Sequence, residues 1–513
     1  MTKPHAALFL ILGLIAALGT FLVLYATPQG LGLSDDSIAY IAGARRILSG
    51  EGYREAWLAS NGPVTHFPPG FSSILALIGV SGLDPLRGTR FVNSLLFGAN
   101  IFLTGLIAWR MTQSKIAGIV SATLLLVNYS LFRVHSVAMS EPLYIFFTLA
   151  SFLTFYFYFQ YKQKRWLILT GCLVGMAYLT RYAGLALFST FLVTLILLKE
   201  TWQRRLSRSA IFIASTIPWI LAWSIRNRLL TDNATNRTLI YHPITTENID
   251  ILFYNISIFL MPIETWQRFF IRTTPLLSII TSIIVVPLLI WLVNKALRKF
   301  LKPQTETPEL LSFVSTLYIF GYISSVILSM TFFDASTKFQ LRILSPVYMS
   351  LLIIFVYFLY WLWNKQKHIT IFIIICAFSL SVYGMNDTVA QLRKGGRGYA
   401  SFQWYDSEAM DFLSALPKDT RIYTNQPGPV YLYTDRPSYV LPDLIDPVTG
   451  LPREGYEKGV AVLHEEVLSG NAVLALFKFG AESEDVQTIY IQLSDGLFLA
   501  HDTHGDKIYS AYP

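Results

Sequence analysis

Long apolar stretches separated by short polar or basic segments fill the chain up to about residue 385. About eleven of them reach or approach the roughly 17 to 25 residues that a helix needs to cross the hydrocarbon core of a bilayer. The pattern therefore predicts an α-helical polytopic membrane protein with about eleven transmembrane helices. The apolar runs lie near residues 6–27, 88–109, 115–132, 140–160, 165–180, 182–198, 209–226, 275–294, 309–330, 342–362 and 369–385.

Three of these runs need a closer interpretation. The first run follows only one basic residue, Lys3, and exceeds the roughly 7 to 15 apolar residues of a signal peptide, so we expect a retained span. The runs at 165–180 and 182–198 are short and meet at Arg181. They predict either a helical hairpin or two half-spans.

The pattern changes after residue 385, where a glycine-rich basic segment, residues 393–398, is followed by shorter and mixed elements. A helix is predicted at 407–416, and strands are predicted at 421–424, 472–479 and 488–491. The chain therefore divides into a membrane domain, 1–385, and a small soluble α/β domain, 386–513. No catalytic signature is present in the second domain.

Composition agrees with a membrane protein, because 53% of the residues are hydrophobic and only 14% are charged. The net charge of +8 does not indicate nucleic acid, since the basic residues form short clusters between apolar runs. With the N-terminus in the cytoplasm, every basic loop faces inside, and the C-terminal domain lies outside a plasma membrane. These loops contain Arg110 and Lys115; Lys162, Lys164 and Arg165; Lys199, Arg204, Arg205 and Arg208; Lys295, Arg298, Lys299 and Lys302; and Lys365 and Lys367.

Two long loops are expected on the outer side in addition to the C-terminal domain. The loop at 28–87 contains Asp35 and Asp36 at the start of an amphipathic helix, and a second short helix is predicted at 71–80. The loop at 227–274 is predicted to form a lid over a cavity. Its polar residues include Asn233, Asn236, His242, Glu247 and Asp250.

The acidic pair Asp35 and Asp36 allows two interpretations. Acids in the first turn of a helix are favoured by the helix dipole, so both can be capping residues behind Ser34. A carboxylate held at the membrane surface can also accept a proton from an attacking hydroxyl or amine. Composition and spacing alone leave both roles open.

Five short motifs together resemble membrane glycosyltransferases that use polyprenyl-phosphate sugars, in the family of protein O-mannosyltransferases and lipid A aminoarabinose transferases. The resemblance covers about residues 1–385 and implies a GT-C fold. The motifs are Ser34-Asp35-Asp36-Ser37-Ile38-Ala39-Tyr40 with Ala44-Arg45, His66-Phe67-Pro68-Pro69, Ser140-Glu141-Pro142-Leu143, Leu179-Thr180-Arg181-Tyr182-Ala183-Gly184-Leu185 and Arg342-Ile343-Leu344-Ser345-Pro346.

The resemblance implies that Asp35 is the catalytic base and that Asp36 is a supporting carboxylate or a metal ligand. It assigns His66, Glu141, Arg181 and Arg342 to substrate binding, the arginines to the donor phosphate. Purely structural roles are the alternatives for Glu141 and the two arginines: Glu141 can cap the fourth helix, and an arginine at a helix end can contact lipid headgroups.

The resemblance leaves metal use open. His66 stands where some family members have a glutamate that takes part in a metal site, and histidine can also bind a divalent metal. Asp36, His66 and His242 are the weak candidate ligands. Cys172 and Cys376 lie inside apolar runs and predict neither a disulfide nor a zinc–cysteine site.

The implied function is transfer of one sugar from a polyprenyl-phosphate donor to a lipid, glycan or protein acceptor outside the cell membrane. A transporter or flippase for lipid-linked sugars is the main alternative, although it predicts ionisable residues within the spans and repeated halves. A glycan polymerase or ligase would not require an acidic loop directly after the first span. A sensor would require ligand binding by the C-terminal domain alone.

Overall fold

Helices dominate the fold because a backbone in hydrocarbon must satisfy its hydrogen bonds within its own segment. The computed structural model describes residues 3–198, 200–231, 239–260, 309–446, 448–503 and 505–512, with a few isolated positions between 283 and 298. In chain order the helices are α1 (Lys3–Ala26), α2 (Asp35–Leu48), α3 (Gly70–Gly79), α4 (Pro85–Thr112), α5 (Lys115–Leu126), α6 (Tyr129–His135), α7 (Glu141–Tyr161), α8 (Lys164–Thr180), α9 (Gly184–Leu197), α10 (Trp202–Thr231), α11 (Thr246–Leu260), α12 (Glu309–Phe332), α13 (Leu341–Trp363), α14 (Lys367–Gly395), α15 (Phe402–Tyr405), α16 (Glu408–Ala415), α17 (Pro427–Thr434), α18 (Tyr456–Leu468) and α19 (Glu484–Ser494).

Every predicted apolar run falls on a helix except the run at 275–294, which lies outside the described residues. Among the described residues, seven helices are long and apolar enough to cross a membrane: α1, α4, α7, α10, α12, α13 and α14. The pair α5 and α6 would make an eighth span, bent by 64°. The polytopic membrane fold is confirmed, and the count of about eleven stays a prediction.

The break between α5 and α6 has a local cause that the apolar pattern hides. Asn128 lies in the middle of the predicted run at 115–132, and its Oδ1 accepts a hydrogen bond of 2.9 Å from the Leu131 backbone N–H. This is an N-cap contact, which starts a new helix instead of continuing the old one.

The two short runs around Arg181 form separate helices. α8 has 17 residues and α9 has 14, both below the roughly 20 residues of a full span. Residues 181–183 separate them, and the Tyr144 hydroxyl of α7 donates to the Ala183 carbonyl oxygen at 3.0 Å. The same hydroxyl lies 2.8 Å from that of Tyr318 on α12, so buried tyrosines hold the break in place.

The chain divides into two compact units. The first contains Met1–Pro28, Thr65–Phe71 and Thr89–Lys394 and holds the membrane-length helices. Within it, α7 packs on α8, α8 on α10, and α12 on α13. The second contains Gln29–Val64, Ser72–Gly88 and Gly395–Pro513. The acidic helix α2 thus belongs to the same unit as the C-terminal region, whereas residues 65–71 of the same predicted loop belong to the first unit.

The second unit is built on a five-stranded mixed sheet in the order β2-β1-β3-β5-β4. Its strands are β1 (Arg421–Thr424), β2 (Tyr439–Val440), β3 (Ala472–Leu476), β4 (Phe498–Thr503) and β5 (Asp506–Ser510). β1 runs parallel to β2 and β3, whereas β5 is antiparallel to β3 and β4. Successive residues of β3 point to opposite faces of the sheet and belong to two hydrophobic cores. Val473 packs with Met410 and Leu413. Leu474 packs with Leu463 and Leu493.

Three of the four elements predicted for the C-terminal domain are confirmed. The helix behind Ser407 is α16, with Ser407 as its N-cap, and the first two predicted strands correspond to β1 and β3. The strand predicted at 488–491 is wrong, because this segment lies inside α19. Its β-favouring residues are helical because Tyr490 and Leu493, three positions apart, bury one helix face in the core.

Candidate active site

Asp35 and Asp36 form the first turn of α2, as the sequence predicts. Ser34 precedes them in an extended conformation, with φ −142° and ψ 178°, and its backbone N–H donates to the Ser37 hydroxyl at 3.1 Å. The capping geometry therefore exists, with acids placed where the helix dipole favours them. Asp35 also has a contact outside its own helix, because its Oδ1 accepts a hydrogen bond of 2.8 Å from the Tyr399 hydroxyl.

The environment of Asp35 suits a base. Its side chain reaches solvent, but the surrounding protein displaces enough water to raise the pKa of the carboxyl above its ordinary value. The negative charge of Asp36 acts in the same direction, whereas the hydrogen bond from Tyr399 lowers the pKa and opposes both. A carboxylate with a raised pKa is the stronger proton acceptor, provided that it stays ionised at the working pH.

Tyr399 reaches Asp35 because its backbone is paired with the residue two positions before the acid pair. The Tyr399 N–H donates to the Leu33 carbonyl oxygen at 3.0 Å, and the Leu33 N–H donates to the Arg397 carbonyl oxygen at 3.2 Å. Gly398 lies between these contacts with φ +60°, and a Cβ there would lie 2.0 Å from the Leu33 carbonyl oxygen. Only glycine fits this close approach without a shift of the backbone.

In the first unit, Glu141 and Arg181 form a buried ion pair. Arg181 Nη1 lies 2.7 Å from Glu141 Oε1, and their side chains are 19% and 1% exposed. Arg181 Nη1 also donates to the Ser140 hydroxyl at 3.1 Å. Glu141 is the first residue of α7 and is followed by a proline, but the N-cap position is Ser140, and neither Glu141 oxygen accepts a hydrogen bond from a described residue. The contact that the structure gives its carboxylate is the ion pair with the arginine.

Arg342 approaches the same segment from the start of α13. Its Nη1 lies 4.0 Å from Met139 Sδ, and its Nε donates to the Gln340 side-chain oxygen at 3.2 Å. Residues 139–141 are therefore contacted by two guanidinium groups, from the end of α8 and from α13. Of the predicted binding residues, this brings together Glu141, Arg181 and Arg342.

His66 belongs to the same unit and is linked to the α8–α9 break through its neighbour Thr65. The Thr65 carbonyl oxygen accepts from the Tyr182 hydroxyl at 3.0 Å and from Asn227 Nδ2 at 3.1 Å. Trp223 Nε1 in turn donates to the Tyr182 hydroxyl at 2.9 Å. The His66 ring is half-buried beside Phe67, with 4.2 Å between ring centroids.

The candidate metal ligands do not form a recognisable centre. Within the described ranges, no group of three His, Cys, Asp or Glu residues is placed to hold a metal ion. His242 lies in a segment that pairs with the end of α12, where its backbone N–H donates to the Thr331 carbonyl oxygen at 2.7 Å. Asp36, His66 and His242 remain candidate ligands only as single residues.

Sequence reasoning missed Tyr399 and Gln426. The pattern before Tyr399 predicts only a domain boundary, since glycines and basic residues are typical of linkers. Gly396 and Gly398 both adopt positive φ, of +67° and +60°. Closely spaced glycines also signal that two backbones approach each other, and that interpretation would have pointed to the neighbouring Tyr399.

The described residues combine membrane-length helices that carry paired arginines with an α/β unit that contains an acidic helix. Comparison with solved structures confirms the GT-C fold that the resemblance implied, and part of the chain matches a glycosyltransferase family model. Residues 71–227 match the family model described as dolichyl-phosphate-mannose-protein mannosyltransferase. The matched segment contains Glu141 and Arg181.

The whole chain resembles two kinds of solved structure. ArnT from Cupriavidus metallidurans bound to undecaprenyl phosphate matches with a TM-score of 0.57 and 14% identity, over 100% of this chain and 99% of that one. The Archaeoglobus fulgidus oligosaccharyltransferase in complex with Zn and sulfate matches with a TM-score of 0.57 and 13% identity, over 98% and 73%.

The archaeal oligosaccharyltransferase AglB from Archaeoglobus fulgidus, in complex with an inhibitory peptide and a dolichol-phosphate, matches with a TM-score of 0.55 and 13% identity, over 99% of this chain and 74% of that one. No curated protein matches the chain by sequence. At these identities the similarity establishes the GT-C fold and no more.

Proposed function

We propose that this chain is an integral membrane glycosyltransferase that moves one sugar from a polyprenyl phosphate to a lipid, glycan or protein acceptor. The observation that carries the proposal is the convergence of Arg181 and Arg342 on residues 139–141. Arg181 lies inside the stretch that matches the mannosyltransferase model. The solved structures of ArnT and AglB, which share the fold, contain undecaprenyl phosphate and a dolichol-phosphate, respectively.

Two guanidinium groups are suited to a lipid-linked phosphate. Each has five N–H donors in a planar fork that matches phosphate oxygens, and each stays charged at any accessible pH. Arg181 holds Glu141 through Nη1, and the carboxylate thereby fixes the orientation of the guanidinium. We assign Arg181 and Arg342 to the donor phosphate and Glu141 to positioning of Arg181.

Asp35 is the proposed base. The acceptor oxygen or nitrogen attacks the anomeric carbon of the donor sugar, and a new bond forms to that carbon. The bond from the anomeric carbon to the phosphate oxygen breaks, and its electron pair leaves with the polyprenyl phosphate. The proton of the acceptor passes to Asp35, whose carboxyl has a raised pKa. The guanidinium groups stabilise the charge that develops on the leaving phosphate.

Asp36 and His66 have supporting roles in this proposal. Asp36 lies in the first turn of α2 beside the base, and its charge helps to raise the pKa of Asp35. The backbone before His66 is tied to Tyr182 and Asn227, which holds the half-buried imidazole close to the break between α8 and α9. We assign His66 to substrate binding.

The proposed topology follows from the basic clusters between the spans. We infer that the N-terminus is cytoplasmic and that α2 and the C-terminal region lie on the extracytoplasmic face of the plasma membrane. Lys162 with Arg165 and Lys365 with Lys367 would then face the cytoplasm. Thiol labelling of single cysteines introduced at Ser401 and Lys162 in intact cells tests this: only the first should react with an impermeant reagent.

Donor turnover tests the proposed activity. The purified protein, reconstituted with membrane lipid and protein extracts as acceptors, is offered undecaprenyl- and dolichyl-phosphate sugars carrying a hexose or a pentose. We expect release of polyprenyl phosphate from at least one donor. Arg181→Gln should raise KM for that donor about tenfold or more, the effect of losing one charged contact, whereas Arg453→Gln, an exposed arginine, should not. Movement of donor across the bilayer without turnover would favour the transporter instead.

A further inference from the structure

The C-terminal region contributes a group to the acidic helix of its own unit, and this contact bears on how the base works. We propose that Tyr399 is a positioning residue for Asp35, with its hydroxyl, supported by Gln426, fixing the carboxylate in the orientation that accepts the acceptor's proton. The inference rests on the proposed function, in which Asp35 is the base.

Tyr399 is held firmly from several directions. Its backbone N–H pairs with Leu33, and its carbonyl oxygen accepts a hydrogen bond from the Tyr433 hydroxyl. Its ring meets Trp404 edge to face, with 5.5 Å between centroids, and packs against the core beneath the sheet. A side chain fixed by packing and by backbone pairing can hold a hydrogen-bond partner with little loss of entropy at each turnover.

Gln426 and Gly428 complete the surroundings of the carboxylate at the start of α17. Gln426 Oε1 lies 3.0 Å from the Tyr399 hydroxyl. Because that hydroxyl has one hydrogen, the amide either competes for it or, turned by half a rotation, donates to the hydroxyl oxygen. Gly428 leaves room for Asp35, since a Cβ there would lie 3.2 Å from Asp35 Oδ1 and 3.3 Å from the Tyr399 ring.

As a consequence, the two carboxylate oxygens of Asp35 have different roles. Oδ1 accepts the tyrosine hydrogen, which fixes the side-chain torsions, and Oδ2 is the oxygen that takes the proton from the acceptor. Tyr399 remains a donor throughout the cycle, because burial and the negative charge of Asp35 raise the pKa of its hydroxyl. The negative charge of Asp36 also raises the pKa of the Tyr399 hydroxyl. The Arg397 side chain packs against Gly32, three positions before Asp35.

The test compares Tyr399→Phe with the wild type in the reconstituted turnover assay, using the polyprenyl-phosphate sugar that the wild type consumes. We expect kcat to fall about tenfold to a hundredfold, the range for one hydrogen bond to a charged group, while KM for the donor changes less than about twofold. Tyr405→Phe is the matched control, because Tyr405 is an exposed tyrosine of the same unit whose hydroxyl contacts only the Gln29 carbonyl oxygen, at 3.4 Å, among described residues. It should behave like the wild type.

Each outcome decides the proposal. An unchanged kcat in Tyr399→Phe overturns it, and so does a rise in KM with kcat unchanged, which would assign Tyr399 to substrate binding. If the wild type turns over no donor, the proposed function fails, and the contact itself is tested by thermal unfolding of Tyr399→Phe, Asp35→Asn and the double variant. A double variant whose shift differs from the sum of the single shifts supports the coupling, whereas additive shifts refute it.

Discussion

Replacing Arg181 by Gln leaves the Glu141 carboxylate buried, at 1% exposure, without the guanidinium 2.7 Å away. Apart from this ion pair, neither carboxylate oxygen has a hydrogen-bond partner among the described residues, so no neighbour there can take over the role of the arginine. Removing one partner of a buried ion pair costs about 3–5 kcal/mol, because an uncompensated charge remains. Arg181 is 19% exposed, and we therefore expect a loss near the lower end, about 3 kcal/mol.

The second substitution makes this prediction specific. Adding Glu141→Gln to Arg181→Gln removes the stranded charge and leaves two neutral amides, so most of the lost stability should return. The assay is the midpoint of thermal unfolding in detergent, followed by tryptophan fluorescence. The expected order is wild type, then the double variant, then Arg181→Gln as the least stable.

An exposed ion pair supplies the control. Arg453 lies 3.0 Å from Asp446, with side chains 46% and 27% exposed, and such pairs contribute about 0–1 kcal/mol. Arg453→Gln should therefore leave the midpoint close to that of the wild type. If Arg181→Gln proves as stable as Arg453→Gln, or if the double variant is no more stable than Arg181→Gln, the reasoning about the buried charge is wrong.

Three further predictions concern the acid, the glycine next to Tyr399 and the second arginine. The pKa of Asp35 is raised in the folded state, so ionisation of this carboxyl lowers the stability of the fold at a pH above its folded pKa. Asp35→Asn should therefore unfold at a higher temperature than the wild type at pH 7, and the difference should shrink as the pH falls toward about 4. A difference that stays constant with pH would contradict this. Gly398→Ala should lower the unfolding midpoint by at least the equivalent of about 1 kcal/mol, because its Cβ meets the Leu33 carbonyl oxygen, whereas Gly480→Ala, with open space around it, should change it little. Arg342→Lys should raise the donor KM while leaving the midpoint near the wild-type value, since a lysine keeps the charge but loses the planar fork; an unchanged KM would remove Arg342 from the phosphate site.

Much of the membrane unit could be predicted from sequence because its signals are local. A run of apolar residues must be helical in hydrocarbon, and this single constraint located the described spans. The breaks between helices within one apolar run were harder to predict. Asn128 ends α5 through one side-chain hydrogen bond inside an apolar run, and averaging over such a run conceals a single capping residue.

The candidate site was only partly predictable, for a different physical reason. Asp35 stands out because acids are rare beside a membrane span, and Arg181 because it interrupts two apolar helices. Their partners depend on contacts between residues that are distant in the chain: Tyr399 follows Asp35 by 364 positions, and Ser140 meets Arg181 across two helices. The strand predicted around Tyr490 failed similarly, because burial of one helix face outweighed local β propensity.

The role of Asp35 as the base is the central claim, and one comparison tests it most directly. Asp35→Asn and its control Asp406→Asn, which changes an exposed acid of the same unit, are reconstituted and assayed with the donor that the wild type consumes. Loss of a general base slows turnover about a hundredfold to ten-thousandfold, and we predict a fall in kcat of that size for Asp35→Asn alone. Turnover by Asp35→Asn at the wild-type rate would contradict the account.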